Sequence, residues 1–365
     1  MTISYIPILK AKRSELSALS QLSIEKKSKI LPLLEIEPVP IDPDSGIALK
    51  SYNETLIEFG KKVSKSCSDM QGVYIDGLLI EEHFISPEDH YPIINAVNQV
   101  RDMGIRVIPV SSPTRPSNYK RAIDELMQNE ICLRLTTLDL VNPQLITHYI
   151  NHLGIPLSNI DIIIDLRDEL TEDKLNSGEL YTLAMGLINN LAHLNEYRKV
   201  ILSGGSFPTD LSDISVGLYS QPRIEWILWQ SLMNRKELAR NVIYSDYGVQ
   251  HPDFNRLSTR FPSVSASVRY SGDNDYWVFR GRVANRFGYE QYGKHSEDIL
   301  AHREYSGPTF CAGDRDIEYY ANEYQAYKAN PSGNYKFGSP EVWRRIGQNH
   351  HITKVVEQLA TLYGL

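Results

Sequence analysis

The sequence predicts an α/β chain whose first 250 residues close into a (β/α)8 TIM-like barrel, followed by an α+β C-terminal extension. Three observations predict it. Eight short apolar runs rich in β-branched residues recur up to residue 245, their starts roughly 25 to 43 residues apart, with stretches at helical spacing between them. Several runs are apolar without alternation, Ile160-Asp161-Ile162-Ile163-Ile164-Asp165 above all, as in a parallel sheet covered on both faces. Eight such units in about 250 residues is the size of this barrel. The alternative is an open doubly wound α/β sheet, which usually has fewer strands and often a glycine-rich first turn. The first turn here, Lys10-Ala11-Lys12-Arg13-Ser14, has no glycine.

The predicted strands are Tyr5–Leu9, Ile30–Ile36, Val73–Leu78, Arg106–Val110, Ile131–Leu135, Ile160–Leu166, Lys199–Ser203 and Val242–Ser245. Leu16, Leu19, Leu22 and Ile24 mark a helix after the first strand, Ile93–Val100 another that stops at Gly104, and Ile224–Trp229 a third. The domains divide as a barrel over 1–250 and an aromatic-rich extension over 251–365. The extension holds 11 of the 22 Tyr, 5 of the 10 His and 6 of the 9 Phe. With 14 Lys+Arg against 13 Asp+Glu it carries +1, leaving the barrel 24 against 32, or −8. That opposition predicts an extension packed on the barrel. Val264–Tyr270 and Tyr276–Arg280 flank a turn-like Ser271-Gly272-Asp273-Asn274-Asp275 and read as a hairpin. Helices follow at Asp316–Ala329 and His351–Tyr363, with a helix start at Pro340-Glu341 after Ser339.

Composition excludes several classes. Charged residues at 23% and hydrophobic ones at 42% suit a globular protein rather than a disordered one. No apolar run approaches the roughly 18 residues of a membrane span. Met1–Pro7 lacks the basic, then long apolar pattern of a signal peptide. Cys67, Cys132 and Cys311 offer neither a CxxC pair nor a disulfide framework, so a reducing cytoplasm is the expected compartment. The net charge of −7 disfavours broad nucleic-acid binding.

Four strings carry a family resemblance: Tyr5-Ile6-Pro7-Ile8-Leu9-Lys10-Ala11-Lys12-Arg13-Ser14-Glu15-Leu16, Leu31-Pro32-Leu33-Leu34-Glu35-Ile36, Asp165-Leu166-Arg167-Asp168, and Trp343 through Thr353. Together they resemble the phage-type beta protein family, over nearly the whole chain. The resemblance implies a phage or mobile-element connection and, through it, a phage or host protein as a partner. It implies no particular chemistry.

Candidate site residues come from the strand ends, where barrels place their chemistry. Lys10 and Lys12 follow the first strand, Glu35 and Glu37 end the second, and Asp76 the third. Arg134 lies in the fifth, Asp165 and Arg167 end the sixth, and Asp246 follows the eighth. Strand alternation puts Lys10 with Lys12, and Asp165 with Arg167, on one face. Two readings follow: a salt-bridge layer closing the barrel top, or an active site in which Lys10, Lys12, Glu35, Asp165 and Arg167 act on an anion. In the second, Lys10 and Lys12 hold or polarise the anion, Arg134 adds to its binding, and Glu35 and Asp165 supply acid and base. Ser203, Gly204, Gly205 and Ser206 follow the seventh strand, where phosphate-binding barrels grip phosphate; the competing reading is a tight turn needing positive φ. Glu35, Asp76, Asp165 and Asp246 are oxygen ligands suited to Mg²⁺ or Mn²⁺, whereas the absence of HExxH and of an HxH after the first strand disfavours zinc. If the stretch around Asn349-His350-His351 is helical, Arg344 and His351 lie seven apart on one face. That face is then either a solvated surface or a cap whose histidine reaches into the barrel.

Three functions fit: a hydrolase or lyase, with or without a metal, acting on a phosphorylated or otherwise anionic small molecule; a protein-interaction scaffold without turnover; and single-stranded nucleic-acid binding. The last would use Arg269, Arg280, Arg282 and Arg286, among which Tyr270, Trp277 and Phe279 interleave. The acidic balance makes it the weakest.

Overall fold

The computed structural model describes residues 3–80, 92–254 and 263–363. Eight parallel strands form a closed barrel: β1 (Tyr5–Leu9), β2 (Leu33–Glu35), β3 (Val73–Asp76), β4 (Val107–Ser111), β5 (Ile131–Thr136), β6 (Ile160–Asp165), β7 (Lys199–Gly204) and, after the intervening β8 (Gly217–Pro222), β9 (Ile243–Asp246). Closure is made by β1 on β9, with Tyr5 opposite Tyr244 and Pro7 opposite Asp246. The open doubly wound alternative is excluded. The helices of the barrel part are α1 (Arg13–Ser20), α2 (Ile24–Lys29), α3 (Tyr52–Cys67), α4 (Pro92–Asp102), α5 (Ser117–Leu126), α6 (Thr137–Leu140), α7 (Pro143–Leu153), α8 (Glu172–Asn176), α9 (Glu179–Asn189) and α10 (Ile224–Arg235). The apolar spacing from Leu16 to Ile24 resolves into two helices, because Ser23 caps α2 afresh by accepting the Lys26 N–H.

Period-two alternation divides each strand. Tyr5, Leu9, Leu34, Ile75, Ile162, Ile164 and Tyr244 pack outward against the helices. Ile6, Ile8, Leu33, Tyr74, Ile108, Cys132, Ile163 and Ile201 fill the barrel interior. The same parity sends Glu35, Asp76, Arg134 and Asp165 inward, one step above the apolar layer. At the opposite end Asp161 is also inward. It accepts the Tyr74 hydroxyl at 2.7 Å and pairs with Arg198 at 2.6 Å. The run read as apolar at 160–165 thus carries an inward carboxylate at each end of the barrel.

The remaining strands make a second, antiparallel sheet in the order β10 (Ser265–Ser271), β11 (Asp275–Val283), β8. The β10–β11 hairpin falls where the turn-like string predicts it. β8 lies within 1–250 and escapes prediction because its sequence, Gly-Leu-Tyr-Ser-Gln-Pro, is largely exposed and becomes a strand only by pairing with β11. Around this sheet stand α11 (Ala284–Phe287), α12 (Glu290–Leu300), α13 (Ala312–Ala329) and α14 (Pro340–Tyr363). The predicted start at Pro340 and the helix at 351–363 are one helix of 24 residues. It lies between β10 and the barrel: Asn349 donates to the Ala18 carbonyl of α1 at 3.0 Å, and Lys26 of α2 pairs with Glu357 at 2.5 Å. Among the described residues, no helix is long and apolar enough to cross a membrane.

Candidate functional site

Arg134 is the centre of the barrel mouth. Its Nε donates to Asp165 Oδ2 at 2.7 Å, and its Nη1 to Glu35 Oε1 and Asp76 Oδ2, both at 2.8 Å. Its Nη2 donates to the Tyr247 hydroxyl at 2.6 Å, which itself donates to Asp165 Oδ2 at 2.6 Å. Arg115, from the loop after β4, reaches Asp76 Oδ1 at 2.9 Å. All these side chains are buried, Arg134 with 2% of its surface exposed. Burial alone would raise the Asp76 carboxyl, but Arg115 and Arg134 outweigh it and hold it below its ordinary value. One atom of the ring is left over: Glu35 Oε2 is buried and has no hydrogen-bond partner among the described residues.

The predicted set is therefore partly brought together. Glu35, Asp76, Arg134 and Asp165 converge, but Asp246 does not join them. It has the parity of Tyr244 and faces outward, and Tyr247, on the inward parity, takes its place in the ring. The four-carboxylate ligand set for Mg²⁺ or Mn²⁺ fails on this geometry. The Arg134 guanidinium occupies the space between Glu35, Asp76 and Asp165 that a cation would need.

Lys10 and Lys12 lie beyond the end of β1, so strand alternation does not place them. Ala11 between them has φ 50°, a left-handed conformation costly for a residue with a Cβ. Arg167 repeats this after β6 with φ 47°. Its backbone N–H donates to Asp165 and its guanidinium to Asp253 at 2.5 Å. Lys10 is 3% exposed and donates to the His251 carbonyl. Burial pushes its ammonium down to about 8, against the pull of Glu35 and Glu15. Lys12 lies over the Phe254 ring, 4.7 Å from its centroid. Neither lysine has a carboxylate within ion-pair distance among the described residues. Glu15 accepts the Lys12 backbone N–H at 3.0 Å and Gln250 Nε2 at 2.8 Å, and burial raises its carboxyl to about 7. Glu37 is only half-buried and borders a small cavity with Lys50 and Lys62.

The loop after β7 does not offer a phosphate cradle. The Ser203 hydroxyl accepts from Ser245 at 3.1 Å, the Gly205 N–H donates to the Arg167 carbonyl at 2.7 Å, and the Ser206 N–H and hydroxyl both go to the buried Glu225 carboxylate. The Gly205 and Ser206 donors are spent on protein acceptors, the latter on a buried carboxyl group. Neither glycine has positive φ. A Cβ on Gly204 would come within 2.5 Å of Leu170, so close packing requires the glycine.

His350 and His351 are fully buried, which overturns the solvated-surface reading, while Arg344 seven residues earlier is exposed. His351 bridges Asp246 at 2.9 Å and the Ser271 hydroxyl at 2.8 Å. His350 bridges Asp314 at 2.7 Å and the Ser271 carbonyl at 2.9 Å. Burial would raise the Asp246 carboxyl. The attraction of His351 and the hydrogen bonds from His351, Tyr5 and the Gly248 N–H outweigh burial and hold it at about 2, while burial lowers the His351 imidazole itself. This tie fastens α14 and the second sheet to the closing strand of the barrel. Arg115, Glu15, Tyr247 and His251 were not legible as members of the mouth. Their one sequence signal is position, each within a few residues of a strand end.

The fold and the mouth define a class: a (β/α)8 barrel with an ionic layer across its C-terminal opening and a C-terminal helix tied to its closing strand. The chain belongs to the beta protein family, whose model matches residues 5–357. It is 23% identical over 382 aligned residues to "Protein beta" of Enterobacteria phage P4, covering 99% of this chain and 95% of that protein. Among solved structures it is similar to type I 3-dehydroquinate dehydratase from Clostridium difficile, with 10% identity, 70% of this chain and 88% of that one covered, and a TM-score of 0.28. It is also similar to triosephosphate isomerase from Bartonella henselae, with 9% identity, 67% and 92% covered, and a TM-score of 0.24. Neither likeness bears on chemistry.

Proposed function

We propose that the barrel mouth binds a small anionic molecule through Lys10 and Lys12. The observation that carries this reading is Lys10, a lysine buried at the mouth whose hydrogen bond goes to a backbone carbonyl and which meets no carboxylate within ion-pair distance among the described residues. A buried cation without an anionic partner is costly, and a ligand anion removes the cost. The unpartnered Glu35 Oε2 supplies an acceptor for a ligand hydroxyl or amine. If the bound molecule is turned over by hydrolysis or elimination, Lys10, near neutrality, and Glu35 are the groups placed to move a proton. Arg134 is engaged by three carboxylates and serves to position Glu35 and Asp165. A binding scaffold without turnover is the second reading, favoured by the near-complete mutual pairing of the Arg134 layer.

The test is thermal-shift screening of purified full-length protein against small carboxylates and phosphate esters, followed by calorimetry. A ligand at a hundred times its Kd stabilises by about 2.7 kcal/mol. Affinity should fall as pH rises through about 8, because Lys10 then loses its proton, and Lys10→Met should weaken binding about tenfold or more. If no compound stabilises the wild type, or if Lys10→Met binds as tightly, the reading fails.

A further inference from the structure

Arg269, Arg280 and Arg344 line one cavity of about 410 Å³ between the loop after β7, the β10–β11 sheet and the first turn of α14. They come from three elements, β10, β11 and α14, and only the fold brings them together. None has a carboxylate within ion-pair distance among the described residues. Arg269 lies over the Phe207 ring, 4.4 Å from its centroid, and donates to the Val249 carbonyl at 2.5 Å. Arg280 donates to the Ile214 carbonyl, and its Nε is buried with no partner among the described residues. Arg344 is exposed to the cavity and makes no hydrogen bond or ion pair among the described residues. Asp210 is the acidic residue on the rim, and its carboxylate is taken by the N–H and hydroxyl of Ser212.

The local balance is three guanidinium groups against one carboxylate, or +2, in a chain whose net charge is −7. Burial and the neighbouring Arg344 both act against the charge on Arg269. Like charges held together without an anion raise the free energy of the empty pocket, and an anion relieves it. Guanidinium groups match phosphate oxygens in fork geometry. Ser265 and Ser267, hydrogen-bonded to each other at 2.9 Å, leave one hydroxyl donor on the wall, and Pro340 places the N-terminal end of the 24-residue α14 beside it. Of the arginine stretch read as a single-strand surface, only Arg269 and Arg280 face this cavity. Arg282 and Arg286 stand over Phe287, and Tyr270 and Phe279 are buried in the second core, where no base can stack on them.

We infer that this cavity is a binding site for the phosphate group of a small phosphorylated molecule, held by Arg269, Arg280 and Arg344. Its volume of about 410 Å³ suits a nucleotide-sized ligand. The site uses none of the mouth residues and does not depend on the function proposed for them.

The experiment is calorimetry on the full chain at low ionic strength with pyrophosphate, AMP and adenosine, with a single-stranded oligonucleotide of about a dozen nucleotides as the polymeric phosphate source. The expected result is saturable one-to-one binding of pyrophosphate or AMP, none of adenosine, and an affinity that falls with added salt. Arg344→Gln should weaken that binding about tenfold or more without lowering the melting temperature, because Arg344 holds no other group and its loss relieves repulsion at Arg269. No binding at millimolar concentrations, or undiminished binding by Arg344→Gln, would overturn the proposal. So would an oligonucleotide that binds more tightly than AMP and displaces it, since the site would then belong to a polymer.

Discussion

Replacing Arg134 by Met tests whether the ionic layer holds the barrel top together. The three carboxylates would not suffer equally. Asp165 keeps the Tyr247 hydroxyl and the Arg167 N–H, and Asp76 keeps Arg115 and the Leu78 N–H. Glu35 keeps nothing, because Arg134 is its one hydrogen-bond partner among the described residues and its second oxygen has none. The loss is therefore close to that of breaking one buried pair, about 3–5 kcal/mol. For 365 residues the unfolding entropy is about 0.8 kcal/mol/K, so the melting temperature should fall by about 4–7 °C at pH 7. Protonating an orphaned carboxylate removes the penalty, so the deficit should be smaller in acid than in alkali. Arg134→Met with Glu35→Gln should recover most of the loss, an amide being cheaper to bury than a carboxylate. Calorimetric melts of the wild type, the single variants and the double variant at two pH values read this out. An Arg134→Met melt within about 1 °C of wild type, or a double variant no more stable than the single, would refute the assignment of the cost to Glu35.

Glu15→Gln should flatten part of the pH dependence. Burial raises this carboxyl to about 7, above the roughly 4.3 of an unfolded chain, so its contribution is intact below about 4.3 and is lost as pH rises through about 7. The variant should gain on wild type between pH 5 and pH 8, by at most about 3 kcal/mol; melts at the two values that differ by the same amount would contradict it. His351→Ala removes one of the hydrogen bonds that keep Asp246 ionised and should cost about 2–4 kcal/mol. It should also loosen α14, which limited proteolysis would show as faster cleavage between barrel and second sheet. A stable wild-type fragment starting near residue 255 would contradict the packing of the C-terminal region on the barrel.

The barrel is legible because eight runs of the right length recur with helices between them, and few other folds use that count. Which strand-end residues meet is legible only as far as strand parity holds. It holds for Glu35, Asp76, Arg134 and Asp165, each inside a strand. For Asp246 the parity is the outward one, and the residue beside it, Tyr247, belongs to the mouth; one step of register exchanges the two. Lys10, Lys12 and Arg167 lie past the strand ends, where a left-handed residue re-aims the chain and no periodicity applies. The polar run from Gln348 to His351 looks like a helix surface by composition. It is buried because α14 is covered on two sides, and its partners, Ala18, Asp246, Ser271 and Asp314, are scattered along the chain.

The charges of the mouth constrain what can bind there. With all groups ionised, the inner layer sets Glu35, Asp76 and Asp165 against Arg115 and Arg134 and carries −1. That excess lies beneath Lys10, and Glu35 is the strongest influence keeping the buried ammonium charged. A monoanion bound to Lys10 leaves the pair near neutrality, whereas a dianion needs the charge of Lys12 as well. Glu35 Oε2 also needs a donor, so the matching ligand carries one anionic group for Lys10 and one hydroxyl or amine for Glu35. On the second proposal, a phosphate dianion is matched by the +2 pocket of Arg269, Arg280 and Arg344. If both proposals hold, the two sites differ in what lies against their cations: a carboxylate beneath Lys10 at the mouth, and no carboxylate free to pair with the arginines of the outer pocket.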